Sequence, residues 1–325
     1  MWANEENTRR DMPSSEVAAV VLNYNSAELT VQLCEDLLGF ELRPRVLVVD
    51  NCSEKPDFDV LRRYSDSHPQ IELLRAEENL GYSAGNNLGI SRALEEGCHY
   101  VLVVNPDASI SERSLGNMLK RMPDEPDVLF CGPRILDASG ETDRYAQRFL
   151  PHGLKALYFT KYPVARLKWN FCARRYFGLD SDRSRDSYCA TVSGCCVLFD
   201  RKYFEIFGLF DEDFFLYSEE VVWGHNAAAA GFRCLYVADA IATHDHSLAQ
   251  RQTSFTTFSN RLRSDLVYCR KYLGVSRMRI LPLLAYYYAA FLFLKLTRRG
   301  SLGGDLSDVN SMVRSQLARF EGSES

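Results

Sequence analysis

The sequence predicts a doubly wound α/β fold, with a mostly parallel sheet flanked by helices and a C-terminal helical extension. Three observations carry that expectation. Short apolar runs rich in Val and Leu alternate with stretches of helical period through the first half of the chain. Asn, Asp, Ser and Gly gather where the apolar runs end. Apolar residues make up 46% and charged residues 25% of 325 positions, an ordinary balance for a chain that buries a large core.

Val17 to Leu22 is the first strand, followed by a helix over Ala27 to Leu38. Arg45 to Val49 is the second strand and Phe58 to Tyr64 a short helix. Ile71 to Leu74, the helix Ala84 to Glu96 and the strand Tyr100 to Val104 continue the alternation. A helix over Ser111 to Arg121 leads to a strand at Val128 to Cys131. Beyond Gly140 the pattern loosens, and Tyr145 to Tyr188 is aromatic, basic and irregular, as suits an insertion that covers substrate. Order returns with a strand over Thr191 to Phe199, helices over Lys202 to Phe207 and Glu219 to Ala230, and a strand over Arg233 to Val237.

The net charge of -5 gives no reason to expect nucleic acid as a partner. Arg251 to Arg299 carries ten Lys or Arg against one acid, Asp265, so the C-terminal part is a basic module. Residues 1–15 are polar, with no apolar run to engage a translocon, which points to a cytoplasmic compartment. Cys34, Cys98, Cys131, Cys195 and Cys234 sit in apolar stretches, where a thiol serves as a small core residue. No CxxC pair suggests zinc.

Sheets of this class bind ligands beyond the carboxyl ends of their strands. Four consecutive loops there are polar: Asn23-Tyr24-Asn25-Ser26, Asp50-Asn51-Cys52-Ser53, Asn79 to Asn87, and Asn105-Pro106-Asp107. Asp50 can accept the imide N–H of uracil or thymine, although a turn or helix cap explains it as well. Gly81, Gly85 and Gly89, with Asn79, Asn86 and Asn87, suit a backbone cradle for a diphosphate at a helix N-terminus. Asn105 and Asp107 are hard oxygen ligands one residue apart, and also a common turn. Glu219-Glu220 open a helix and could deprotonate a hydroxyl or simply complement the helix dipole. His244-Asp245-His246 follows the last strand, where an imidazole could complete a metal's coordination. Singly each has a bland explanation. Together they occur in the order one donor site needs.

These residues resemble family 2 glycosyltransferases of the GT-A type, in particular the rhamnosyltransferase-type members that build bacterial surface polysaccharides. The resemblance spans about Val17 to Ser247. It rests on Val20 to Asn25, Val48 to Ser53, Asn79 to Gly89, Asn105-Pro106-Asp107, Ser193-Gly194-Cys195, Gly208 to Glu220 and Asp239 to His244. It implies that Tyr24 packs on a nucleobase whose imide proton Asp50 accepts. Asn23, Asn51, Asn79, Gly81, Gly85, Asn86 and Asn105 would line the donor. Asp107, with His244, would hold Mg2+ or Mn2+ on the diphosphate. Glu220 takes the place of the family's general base, an aspartate, with Glu219 as the preceding acid. The implied reaction is transfer with inversion from a nucleoside-diphosphate sugar (dTDP-rhamnose or a UDP-sugar) to a saccharide or polyprenyl-linked acceptor. The sequence departs from the family at Val222, which replaces a second aspartate, at Asn86, where many members carry Arg, and in lacking an arginine after Trp223.

The implied domains are a polar tail over 1–15 and a GT-A domain over 16–250, with a donor half to about 135 and an acceptor half from about 136. A basic helical module over 251–299 and a tail over 300–325 follow. Ile280 to Leu294 has no charge and carries Tyr286-Tyr287-Tyr288, but falls short of the ~20 residues that span a bilayer. It suits a helix lying on the inner face of the cell membrane; a buried core helix, or a homo-oligomer contact, is the competing expectation. Two rival functions are a catalytically silent homologue that binds or assembles, and a nucleotidyltransferase. The latter needs a Lys- or Arg-rich triphosphate loop near the first strand, and this chain has none there.

Overall fold

A computed structural model of the chain describes residues 16–161, 167, 169–245, 255–297 and 303–321. The expected tail over 1–15, His246 and the 250/251 domain boundary lie outside them. Among the described residues nine strands form one mixed sheet, in the order β3-β2-β1-β4-β8-β6-β9-β5, with β7 pairing β9. Its first half is the parallel part that the Val- and Leu-rich runs predict: β1 (Val17–Asn23), β2 (Arg45–Asp50), β3 (Ile71–Arg75) and β4 (Tyr100–Val104). These strands are buried on both faces, which is why they read as continuous apolar runs.

The second half is mixed. β8 (Cys196–Asp200) runs antiparallel to both β4 and β6 (Val128–Leu136), and β6 runs parallel to β9 (Arg233–His244). The strand expected from Thr191 begins only at Cys196, because Ser193 to Cys195 form a loop beside the end of β4. There Asn105 N–H donates to the Cys195 carbonyl. β9 continues past Val237 to His244, paired with the short β5 (Ala108–Ile110).

Helix α1 (Ala27–Leu38) has the expected bounds, and α2 (Lys55–Ser67) is longer than expected. The others in this part are α3 (Gly81–Glu95), α4 (Glu112–Arg121), α7 (Arg201–Phe207) and α8 (Glu219–Ala229). Two six-residue helices, α5 (Leu154–Phe159) and α6 (Phe171–Tyr176), and the strand β7 (Ser187–Cys189) add structure to the segment expected to be irregular. Cys34, Cys98, Cys131, Cys195 and Cys234 are buried in the core, as their apolar surroundings predict.

The C-terminal helices α9 (Phe255–Lys271), α10 (Arg277–Thr297) and α11 (Leu306–Glu321) make a separate apolar cluster with Leu157, Phe214, Val221 and Val222. Residues 306–321, expected as part of a tail, are therefore integral to this cluster through Val309 and Val313. Helix α10 is longer than the uncharged stretch suggested, and is long and apolar enough by composition to cross a membrane. It lies instead with Ile280, Leu283, Leu284, Tyr287 and Phe291 buried in the cluster.

Close backbone contact sets how α8 packs against the loop before β8. A Cβ on Gly224 would sit 2.1 Å from the Ala190 carbonyl oxygen. Neither backbone can retreat without moving α8 or the loop before β8. Gly224→Ala is expected to cost about 1–3 kcal/mol, as overpacked cores do, read as a lower urea midpoint at unchanged slope.

Candidate active site

The strand ends are tied together by buried amides. Asn23, Asp50 and Arg75 lie side by side across β1, β2 and β3. Asn23 is fully buried. Its Nδ2 donates to Asp50 Oδ1 (3.2 Å), Ser53 Oγ (2.9 Å) and Asp57 Oδ2 (2.8 Å), and its Oδ1 accepts from Thr30 Oγ1 (2.8 Å). Asp50 is also fully buried, accepting from Ser53 N–H and pairing with Arg75 Nε at 3.4 Å. The Arg75 guanidinium lies over the Phe58 ring, 3.6 Å from its centroid. A base read by Asp50 must therefore displace or share Arg75, a residue the sequence reading did not single out. Tyr24, half exposed, presents its ring beside this row. Asn25 and Cys52, in the adjoining loops, hold left-handed φ of 53° and 60°, the kind of backbone strain that gathers at functional loops.

Asn51 organises the start of α3. Its Nδ2 donates to Asn79 Oδ1 and to the Gly81 carbonyl, both at 3.0 Å, and its Oδ1 accepts from Leu80 N–H at 2.9 Å. Gly81 N–H donates to Asn79 Oδ1 and Tyr82 N–H to the Phe215 carbonyl. These three N–H groups at the head of α3 are thus engaged by protein. The glycines have packing reasons: Gly81 has φ 79° and a Cβ there would meet Phe215 O at 2.3 Å, and one on Gly85 would meet Leu22 at 2.6 Å. Asn86 is buried, with Nδ2 on the Tyr82 carbonyl and no partner for Oδ1 among the described residues.

Asp107 and His244 meet. β5 and β9 pair Ala108 with His244, and His244 Nε2 lies 3.2 Å from Asp107 Oδ1. Burial opposes charge on the ring, but hydrogen bonds to Asp107 and Cys195 outweigh it and raise its pKa to about 10. As it stands this contact is a charge-assisted hydrogen bond; a divalent cation would have to take the place of the ring proton, and the same oxygen and nitrogen would then hold it. No group of three or more metal-ligating side chains occurs among the described residues. A cavity of about 470 Å3 adjoins the pair, lined by Asp107, His244, Asp36, Asp137 and Asp245 among others. Asn105 contributes its backbone, through the N–H bonded to Cys195 and a carbonyl that accepts from Ala108 N–H.

The two glutamates have opposite surroundings. Glu219 is buried, its Oε2 has no hydrogen-bond partner among the described residues, and its pKa is raised to about 8 by burial and then by the charge of Glu220. It lies near Tyr82, whose pKa burial and then the Glu219 charge push up, and whose hydroxyl donates to the Gly194 carbonyl at 2.6 Å. Glu220 is partly open and ion-paired, Oε1 accepting from Arg148 Nη2 at 2.9 Å. Arg148 is itself anchored: its backbone bridges Thr191, its Nη1 donates to the Ala146 carbonyl, and Thr191 Oγ1 donates to the Glu220 carbonyl. The sequence reading missed Arg148, because one arginine in an irregular basic segment has no spacing that marks it. Before α8, Tyr217 and Ser218 both hold left-handed φ, 74° and 72°, a costly conformation for non-glycine residues.

The site thus runs from Tyr24 and Asp50, past the head of α3, to Asp107 and His244. Cys195, beside His244, and Tyr82 connect it to Glu219, Glu220 and Arg148.

Comparison with known proteins agrees with the fold. Residues 18–207 match the family model described as glycosyl transferase family 2. A low-salt glycan biosynthesis hexosyltransferase of Haloferax volcanii, Agl10, is 26% identical over 74% of this chain and 70% of its own. An N-acetylglucosaminyl-diphospho-decaprenol L-rhamnosyltransferase of Mycobacterium tuberculosis is 29% identical over 64% of this chain and 68% of its own. Among solved structures, a mannosyltransferase of Pyrobaculum calidifontis, in complex with GDP-Man and Mn2+, superposes with a TM-score of 0.53 at 16% identity, covering 93% of this chain and 80% of that one. That likeness shows a shared GT-A fold. With over half its length inside the family model, the chain belongs to glycosyl transferase family 2.

Proposed function

We propose that this glycosyltransferase moves a sugar, with inversion, from dTDP-rhamnose or a UDP-sugar to a hydroxyl of a saccharide or lipid-linked acceptor in surface polysaccharide synthesis. The observation that carries the reading is the convergence of Asp107 and His244 at one end of the site, with Glu220 at the other. The relatives in glycan and rhamnose transfer support the acceptor class.

In this reading Tyr24 stacks on the base and Asp50 takes its imide proton in hydrogen bond, with Asn23 and Asn51 fixing both loops. Asn79, Gly81, Gly85 and Asn86 position α3 beside the diphosphate, and Asn105 shapes the turn that presents Asp107. Mg2+ or Mn2+, held by Asp107 and His244, would neutralise charge on the leaving diphosphate. Glu220 accepts the proton of the attacking hydroxyl. Glu219 keeps its own proton near neutral pH and so spares Glu220 a second buried charge beside it. The exposed face of α10 rests on the inner membrane surface, where a polyprenyl-linked acceptor would be met.

The Arg148 ion pair also favours a second reading, a silent homologue that binds donor without transfer, since the arginine occupies the carboxylate oxygen that an acceptor hydroxyl would have to reach. Turnover decides between them. With Mn2+ and a panel of dTDP- and UDP-sugars, the enzyme reading expects donor hydrolysis or transfer. Tight donor binding with no turnover on lipid-linked acceptors would establish the silent one.

Asp107→Ala is expected to abolish the Mn2+-dependent part of donor binding measured by calorimetry, and unchanged metal dependence would remove Asp107 from the metal site. Glu220→Gln should lower kcat about 10²–10⁴-fold, the usual contribution of a general base, with donor affinity retained. Glu219 adds a stability effect. Its folded pKa of about 8 exceeds the ordinary 4.5, so it favours the fold at low pH and loses that contribution as pH rises from about 4.5 to about 8. The melting temperature of Glu219→Gln relative to wild type should therefore rise between pH 5 and pH 9; a constant difference would mean Glu219 is ionised in the folded protein.

A further inference from the structure

Two segments far apart in sequence share an unusual character. Residues 144–179 contain no Asp or Glu, and neither do residues 266–304, while both carry Lys and Arg throughout. The exposed large apolar side chains concentrate in the same two segments: Phe159, Trp169 and Phe171 in one, Met278, Leu281, Leu292, Phe293 and Leu296 in the other. Trp169 is 68% exposed, Phe171 74% and Leu296 81%.

The fold joins these segments. Leu154, Leu157 and Tyr158 of α5 pack into the cluster made by α9, α10 and α11. The Tyr158 hydroxyl donates to the Arg279 carbonyl in the first turn of α10, and Lys161 pairs with Asp265 of α9. Helix α6 packs on α5 and presents Phe171 outward. On α10 the buried residues form one stripe, and Met278, Leu281, Pro282, Ala285, Ala289, Leu292, Phe293 and Leu296 form the opposite, exposed one. Lys155, Arg175 and Arg279 are exposed beside this apolar surface.

We propose that the α5–α6 insertion is a second membrane-docking element that acts together with α10, so that the protein sits on an anionic bilayer at two places. This rests on the reading that α10 contacts the membrane, and adds the insertion to it. Tryptophan and phenylalanine suit the headgroup boundary, and Lys155, Arg175 and Arg279, exposed and without an ion pair among the described residues, suit an anionic leaflet, whereas Lys161, Arg174, Arg270 and Lys271 are already paired with acids. A protein partner would need acidic groups complementary to the same surface, but nothing in the charge pattern calls for the rings to be so exposed. The segment that leads into α5 also carries Arg148, which holds Glu220, so the docking element and the carboxylate are joined by one stretch of chain.

The test uses the full chain with vesicles of phosphatidylcholine alone or with phosphatidylglycerol. A Trp2→Phe background leaves Trp169 as the exposed reporter, since Trp223 is buried. Brominated lipid should quench Trp169 fluorescence. Trp169→Ser/Phe171→Ser and Leu292→Ser/Phe293→Ser/Leu296→Ser should each weaken binding to phosphatidylglycerol vesicles about tenfold, given the apolar area removed, with unchanged melting temperature. If the α10 variant loses vesicle binding while the insertion variant binds like wild type and Trp169 is unquenched, the insertion is not a docking element and the α10 reading stands. If wild type ignores vesicles but sediments as a dimer that either variant dissociates, the face joins two copies and both readings fall.

Discussion

Two buried amides hold the loops at the ends of β1 and β2 in place. Asn23 and Asn51 close β1 and follow β2, and each bonds to loops that are distant in sequence. A buried amide left unsatisfied costs about 1–3 kcal/mol, so each loop it reaches is fixed by the others. Asn23 ties the first loop to Ser53 and Asp57 at the head of α2, and Asn51 ties the second to Asn79 and the head of α3. Residues that looked like ligand contacts are in this sense the frame for them. Tyr24 stands on a loop fixed in this way and is half exposed, while the loop of Asp107 is held separately, by Asn105 N–H on the Cys195 carbonyl and Asp245 N–H on the Asp107 carbonyl.

The parallel half of the fold was legible because strands buried on both faces must be continuous apolar runs, and four of them occur at regular spacing. The strand-end loops were legible for a related reason, since their polar residues break off each apolar run, although several of them proved to be buried framework. The remainder had no comparable signal. β5 and β7 are three residues each, too short for a period to register. The extension of β9 from Ala238 to His244 alternates small and polar residues, and it is a strand because β5 and β6 pair with it. The helices α5 and α6 exist through burial of Leu157, Ala173 and Tyr176 rather than through helical pattern. The glycines of the Asn79 loop were visible, but whether they approach a ligand or a neighbouring carbonyl is a matter of three-dimensional contact. Gly81 against Phe215 shows the second case.

The paired glutamates illustrate how environment divides identical side chains. One turn start places them next to each other, yet Glu219 faces Tyr82 in the interior and Glu220 faces Arg148 at a partly open edge. Arg148 holds the outer carboxylate in place, while burial discourages charge on the inner one. The reach of the Glu220 side chain is met here by a guanidinium fixed from another segment. Val222, which replaces an acid, serves instead in the apolar cluster with the C-terminal helices.

The left-handed turn at Tyr217 and Ser218 is held from two sides, by Tyr82 N–H on the Phe215 carbonyl and by Ser264 Oγ of α9 on the Leu216 carbonyl. Such a turn is a loaded spring whose latch is shared between the donor domain and the helical extension. The extension lies outside the span of the family match, yet it owns half of that latch. Removing the helical extension would take away the Ser264 half of that latch, at the residues just before the carboxylates, so the smallest unit able to keep the site in this shape must include α9.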